Sequence, residues 1–402
     1  MIFLPPGAGG TVQRAIYQDS RQGVTATLDF PVGTVIAKTF AFRKEDSAGK
    51  LLSEHVVETR LLIKRQTGSG VSWVGLPYIW QHDAAGKPVK AVLALAGGTA
   101  SVSWDYLDHN PNVKKDGKRV RYTGSAEHYA VPAALNCITC HGGDDREPGA
   151  APIGPKARNM DRGMNADGSG QNQLAFMVSK GWLDQVPATH DRPLAFWDVP
   201  GSGPSSATGG SPRDVHERVR AYLESNCMHC HNPNGGASNS GLYLDSFRTV
   251  NNRFGVCKKP VAAGRGSGSL KHDIVPGDAG ASILMYRVAS AEAGVRMAPI
   301  ARSVTHTESA VLINEWINTA LPALDKADDN EIQDEDSCNS SDLPLLLTEL
   351  LPAELTGLLK QLQKLAGGDP SALEDILGTL TGGLRGLLPM TSADQRRELS
   401  LP

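Results

Sequence analysis

Two copies of one five-residue cysteine motif constrain this 402-residue chain more than any other feature. Residues 137–141 have the sequence CITCH and residues 227–231 have CMHCH, so each copy follows the pattern Cys-x-x-Cys-His. Two thiols three positions apart can each form a thioether to one vinyl group of a porphyrin, and the next histidine can ligate the iron. The spacing predicts two covalently attached haem c groups. The predicted attachment residues are Cys137, Cys140, Cys227 and Cys230, and the predicted iron ligands are His141 and His231.

Two other kinds of site also use paired cysteines. Two CxxC pairs can assemble a four-cysteine zinc site, and a thioredoxin-like redox motif also contains CxxC. Neither needs a histidine directly after its second cysteine, whereas haem attachment does. The histidine in both copies therefore favours haem, and a zinc-stabilised binding module ranks below it.

Charge and apolar runs exclude some classes of binding partner, and the predicted haem attachment indicates the cellular compartment. With 40 basic and 43 acidic residues, the net charge of −3 gives no electrostatic case for nucleic-acid binding. No apolar stretch approaches the roughly 18 residues of a membrane span. Haem attachment through thioethers implies the periplasm or the cell exterior. Residues 1–6 carry no basic segment and only a short apolar run, so a signal peptide is absent and we expect a truncated start.

Sequence patterns predict an α+β multidomain fold. Short β-branched and aromatic runs between turn residues predict a mostly antiparallel β domain. Helical patterns at residues 172–182, 215–225 and 308–320 predict α-helical haem modules around the motifs. Leucine-rich periodicity near the C-terminus predicts a helical tail suited to self-association. The predicted segments are the β-rich domain (1–128), a first haem module (129–200), a Gly/Pro/Ser-rich linker (201–212), a second cytochrome c-like haem module (213–322), an acidic linker (323–342) and the tail (343–402).

A six-coordinate haem needs a second axial ligand, which is usually Met or His. For the second haem we predict Met297, because it lies in a loop next to a proline, whereas Met285 lies in a helical stretch typical of a gap-filling core residue. The first haem leaves several residues open. Met160 suits a wall residue as well as a ligand, and the other options are Met164, Met177, His128 and His190.

Six runs resemble a family of bacterial dihaem c-type cytochromes. The resemblance covers about three-quarters of the chain, ends near Trp316, and implies an exported protein that transfers electrons among periplasmic redox partners. The tail is not part of the family pattern. The runs are DFPVGTVIAKTF (29–40), ETRLL (58–62), WVGLPYIW (73–80), PIGPKARN (152–159), CHNPNG (230–235) and VCK (256–258).

Two narrower resemblances add residue roles. Gly154-Pro155 resembles the turn of small cytochromes c, which implies that the Pro155 carbonyl accepts a hydrogen bond from His141 and that Met160 lies against the haem. The N-terminal runs also resemble β-sheet cytochromes with a lysine crosslinked to a five-coordinate haem. That likeness implies an alternative function, a haem oxidoreductase acting on a small molecule at the first haem, with the second haem as electron relay. Lys38 and Lys64 are strand lysines in that region.

The two remaining cysteines, Cys257 and Cys338, lie outside both motifs. In an oxidising compartment they are predicted to form a disulfide. The alternative is two free thiols, of which Cys338, in the polar linker, would be reactive.

Overall fold

A curled β-sheet dominates the computed structural model, which describes residues 1–325 apart from 20–26, 69, 111–112, 143–150, 166–168, 192, 206 and 262–263, together with residue 338. The sheet is built from long strands rich in β-branched and aromatic residues, as that composition favours. The strands of the described chain are β1 (Ile2–Phe3), β2 (Ile16–Gln18), β3 (Thr27–Asp29), β4 (Val35–Glu45), β5 (Leu51–Thr67), β6 (Gly70–His82), β7 (Pro88–Leu93), β8 (Gly98–Leu107), β9 (Lys114–Lys115), β10 (Lys118–Arg119) and β11 (Arg121–Val131). Strands β2 and β3, and likewise β9 and β10, form separate two-stranded sheets.

Six of these strands lie side by side in the order β11, β8, β4, β5, β6, β7, and β1 pairs with β4. All neighbours are antiparallel except β4 and β8, which pair in parallel at Lys44 and Asp105. Arg60 of β5 lies opposite Pro77 of β6, and Leu62 opposite Gly75, so these residues share one face of the sheet. That face positions the first Cys-x-x-Cys-His motif.

The prediction of α-helical haem modules is wrong, because the described chain is mostly β and only 24% helical. The predicted helices at 172–182, 215–225 and 308–320 exist, but they are short and separated by long Gly- and Pro-containing loops, so they form no helical bundle. Helical periodicity over 7–15 residues located the helices but did not specify how they pack. The α-helices are α1 (Cys137–His141), α2 (Ala157–Met160), α3 (Gln173–Ser179), α4 (Pro212–Asn226), α5 (Ile283–Ala289), α6 (Thr307–Glu315) and α7 (Leu321–Asp325).

Single turns of other helix types complete the secondary structure. A π-helical turn (Trp316–Ala320) connects α6 to α7. The 3₁₀ turns are Ala8–Gly10, Ala134–Asn136, Ser238–Ser240, Asn252–Phe254 and Gly264–Ser267.

Three apolar clusters stabilise the described residues between 1 and 325. The largest packs α4 and α6 around Trp316 and Phe254. A second joins Trp73 on the sheet to Leu174 and Met177 on α3. The third lies on the sheet around Val57 and Val102, among others. The short helices and the loops that connect them therefore pack through these clusters, and the second cluster joins them to the sheet.

The described part of the chain contains no helix long and apolar enough to cross a membrane. The predicted helical tail (343–402) and most of the predicted acidic linker (323–342) lie outside the described residues. The predicted linker at 201–212 is held by hydrogen bonds, since Asp214 accepts from the backbone N–H groups of Gly201 and Gly210.

Candidate functional site

The first motif lies on the sheet. Strand β11 leads through the 3₁₀ turn Ala134–Asn136 into α1, which contains Cys137, Cys140 and His141. A Cβ atom added at Gly75 of β6 would come within 2.6 Å of Cys137 Sγ, so the thiol sits directly over this glycine. Any larger residue would push the thiol away, and the glycine is therefore required by the close approach.

A group of charged and hydroxyl side chains surrounds Cys137 on the same face. Glu58 is fully buried, receives two hydrogen bonds from the Arg60 guanidinium (2.8 and 2.6 Å), and accepts a third from Tyr129 Oη at 2.9 Å. Burial, with Glu58 nearby, raises the pKa of Tyr129. Desolvation and the charge of Arg60 lower the pKa of Lys38, which lies opposite Arg60 in the ladder. The first motif therefore faces a buried carboxylate and two cations.

His141 is held by the backbone. Its Nδ1 lies 2.9 Å from the carbonyl oxygen of Ala151. This carbonyl lies four residues before Pro155, whose predicted role as the acceptor stays a prediction. Burial lowers the pKa of His141, and the positive charge of Lys38 acts in the same direction. The imidazole is therefore neutral near pH 7, with Nε2 left for a ligand.

The second motif follows α4, whose first turn is capped by Ser211 and begins with Pro212. Cys227 packs against the apolar cluster around Trp316, and burial raises the pKa of its thiol to about 12. His231 is 7% exposed, and its Nδ1 lies 3.3 Å from the Leu242 carbonyl oxygen. Burial lowers the pKa of His231 to about 4, so this imidazole is also neutral.

Hydrogen bonds with two arginines anchor the loop that carries Met297. Met297 N–H donates to the Arg287 carbonyl at 3.2 Å, and Arg287 Nε donates to the Val295 carbonyl at 2.9 Å. The Arg302 guanidinium donates to the carbonyls of Met297, Arg287 and Val288. The charge of Arg302 also acts on Cys227, and that of Arg287 on His231, so both arginines lie beside the second motif. Val288, whose carbonyl accepts from Arg302, belongs to the apolar cluster against which Cys227 packs, so the arginines connect the Met297 loop to a helix that shares this cluster with the second motif.

The two motifs approach each other at the second cysteine of each motif and at the middle histidine of the second motif. Cys140 of the first motif converges with His229 and Cys230 of the second, and one donor atom from each lies within 4.8 Å of the other two. Cys230 Sγ also lies 3.8 Å from the Thr139 carbonyl oxygen. Hydrogen bonds from Cys230 and His229 to the thiolate lower the pKa of Cys140. Sequence reasoning missed this contact, because the motifs are separated by about 90 residues and no local pattern links them.

The remaining predicted residues are dispersed. Met160 packs against the cluster around Trp73, where Met177 is buried. His190 uses both ring nitrogens, toward the Pro187 carbonyl and Asp161 (2.9 Å each), which leaves neither for iron. The others lie elsewhere: Met164 is 48% exposed, His128 is exposed, Met285 packs on the cluster around Trp316, and Lys64 donates to Asp29 at 2.7 Å.

The four motif cysteines are free thiols. The predicted disulfide between Cys257 and Cys338 stays a prediction.

A buried ion network was missed by sequence reasoning. Glu224 on α4 is fully buried and pairs with Lys156 (3.4 Å) and Arg158 (3.2 Å), both from the PIGPKARN run. Although burial raises it, the two positive charges lower the pKa of Glu224. The only signal was two cations in a run of otherwise apolar and turn residues, and nothing in the sequence identified their partner.

The residues of both motifs fit a c-type haem on three observations. Both histidines direct Nδ1 to a backbone carbonyl, a glycine leaves room for Cys137, and an arginine-fastened methionine loop is connected to a helix that shares an apolar cluster with the second motif. Comparison with known protein families, with curated proteins and with solved structures finds no match. The resemblance to a dihaem cytochrome family therefore rests on its motifs alone.

Proposed function

We propose that this protein is an exported dihaem c-type cytochrome that transfers single electrons between redox partner proteins in the periplasm. The observation that carries the proposal is the pair of neutral histidines at the ends of the two motifs, of which His141 is half-buried and His231 is buried. Each directs Nδ1 to a backbone carbonyl, which fixes the ring and leaves Nε2 as the donor for iron.

The four motif thiols would hold the two porphyrins. Cys137 and Cys140 belong to one site, and Cys227 and Cys230 to the other. Each thiol adds across a vinyl C=C bond, so that sulfur bonds one carbon and the thiol hydrogen goes to the other. When bound, the haems supply reversible one-electron Fe(III)/Fe(II) chemistry.

Met297 is the proposed distal ligand at the second site. Its backbone is fixed on both sides, through its own N–H to Arg287 and through its carbonyl from Arg302. A ligand on a fastened loop keeps one geometry in both oxidation states, which lowers the reorganisation that electron transfer requires.

A second function, haem oxidoreductase chemistry at the first site, is favoured by the charged face under Cys137. Glu58, Arg60, Tyr129 and Lys38 offer a proton acceptor, two cations and a hydroxyl next to the first motif. General acid–base chemistry on a small molecule needs groups of this kind. Electron carriage alone does not need them.

Optical and EPR spectra of the exported full-length protein test both functions. We expect the Soret and α bands of c-type haem in the reduced protein. A protein without these bands would overturn the haem proposal. In the oxidised protein, two low-spin irons would support electron transfer at both sites and exclude the oxidoreductase. One high-spin iron would support the oxidoreductase and exclude simple electron carriage at both sites.

A further inference from the structure

The convergence of the two motifs creates a donor set that neither motif has alone. Cys140, His229 and Cys230 offer two sulfurs and one imidazole nitrogen within 4.8 Å of one another. In the described part of the chain, no other group of three His, Cys, Asp or Glu side chains converges in this way.

Protein contacts do not use all of the hydrogen-bonding capacity of the imidazole in this set. His229 Nδ1 is buried and has no hydrogen-bond partner among the described residues. A metal ion bound by the ring would add a partner that these residues do not supply. Cys140 and Cys230 are partly exposed, so an ion can reach them.

The first cysteine of each motif lies away from this donor set. Cys137 Sγ lies over Gly75 on the sheet, and Cys227 packs against the apolar cluster around Trp316. The structure therefore differs from the four-cysteine zinc site that two CxxC pairs suggest. Only the second cysteine of each motif belongs to the donor set.

We propose that, before haem attachment, Cys140, His229 and Cys230 bind a thiophilic divalent metal ion of the Zn²⁺ class. Two thiolates and a neutral imidazole form a Cys₂His set, which leaves one position of a tetrahedral ion for water. On binding, each thiol releases its proton to solvent and forms a sulfur–metal bond, and the two thiolate charges balance the ion.

The site is independent of the proposed electron-transfer function and excludes its cofactor. A thioether has no thiolate to donate, so haem attachment at Cys140 and Cys230 removes two of the three ligands. Before attachment, the ion would join segments about 90 residues apart and keep both thiols from oxidation, since the metal holds the sulfur lone pairs. The ion therefore belongs to the haem-free chain.

The test uses the full chain produced without haem and Co²⁺ as the probe. We expect one Co²⁺ per chain with the thiolate-to-cobalt charge-transfer absorption. C140S and C230S should abolish the absorption, and H229A should weaken binding at least about tenfold. The matched controls C137S and C227S replace the other cysteine of each motif and should retain it.

Binding that survives C230S, or that requires Cys137 or Cys227, would overturn the metal site. Because a single variant can misfold, the double variant C137S/C227S is measured as well, and loss of its cobalt absorption with unchanged far-UV circular dichroism would also overturn it. Haem content of the exported protein is measured separately. If the exported protein lacks haem but binds Co²⁺, the proposed function alone is refuted. If the exported protein carries two haems but the chain produced without haem does not bind Co²⁺, the metal site alone is refuted.

Discussion

The two Cys-x-x-Cys-His motifs share their spacing but lie in unlike surroundings. The first lies on a β-sheet, beside the buried carboxylate of Glu58 and the guanidinium of Arg60. The second follows a 15-residue helix and packs on an apolar cluster, with a methionine loop fastened by Arg302. In the proposed function the motif specifies haem attachment, and we infer that the residues around it determine whether a site handles protons or only electrons.

The largest expected effect is on stability and concerns the ion network that links the regions of the two motifs. Glu224 sits on the helix before the second motif and pairs with Lys156 and Arg158, which follow the first. E224A would remove the carboxylate partner of the buried Lys156 and leave the buried Arg158 with Asp191 alone, so we expect the free energy of unfolding to fall by about 3 kcal/mol. Chemical denaturation measures it. The control E292A removes a 62%-exposed carboxylate and should cost less than about 1 kcal/mol. Equal losses would contradict the network's role.

The next prediction separates the sites by their distal ligands. M297A should convert one haem of two to high spin, because it removes the sulfur that the loop presents. R302A should do so in part, since four backbone carbonyls, including that of Met297, lose their hydrogen bond from Arg302. EPR of the oxidised protein measures both, and M285A is the control. Unchanged spectra in M297A would show that the ligand assignment is wrong.

A smaller change addresses the first site alone. G75A places a methyl group against Cys137 Sγ, and we expect overpacking of about 1–3 kcal/mol and lower haem occupancy at the first motif only. Peptide mass mapping of haem-bearing fragments measures the occupancy. Gly68 has open space around its Cβ position, so G68A should leave both occupancies unchanged. Equal loss at both motifs would contradict the specific contact with the sheet.

The smallest effect concerns an ion pair outside both motifs. The hydrogen bond to Asp161 raises the pKa of His190 above its ordinary value. Its stabilisation is therefore fully present below the unfolded pKa of about 6.5 and disappears as pH rises through the higher folded value. H190Q should lower stability by about 0.2–1 kcal/mol in acid and by less in alkali, measured by urea unfolding. A loss that grows with pH would contradict this sign.

The sequence predicted the N-terminal strands and the three principal helices, because period-2 and period-3.6 patterns reflect local burial. It did not predict the architecture after the sheet. Helices of 4–15 residues pack according to contacts made by loops, and the patterns of those loops carry no packing information. The helical haem modules were therefore overpredicted.

For the candidate site, spacing alone identified the motif cysteines and histidines. It could not find residues that act across the fold. The contact of His141 with the Ala151 carbonyl is an example, because loop geometry, which composition does not reveal, decides which carbonyl reaches the ring. In the sequence, Glu58 and Arg302 resemble ordinary surface residues. Only the tertiary structure places Glu58 under the first motif and Arg302 beside the other one.

The covalent attachment of two haems is tested most directly by the intact mass of the exported chain. We expect the mass of the polypeptide plus two bound haems, and plus one haem in each of the double variants C137A/C140A and C227A/C230A. A polypeptide of unmodified mass would contradict the assignment of both motifs.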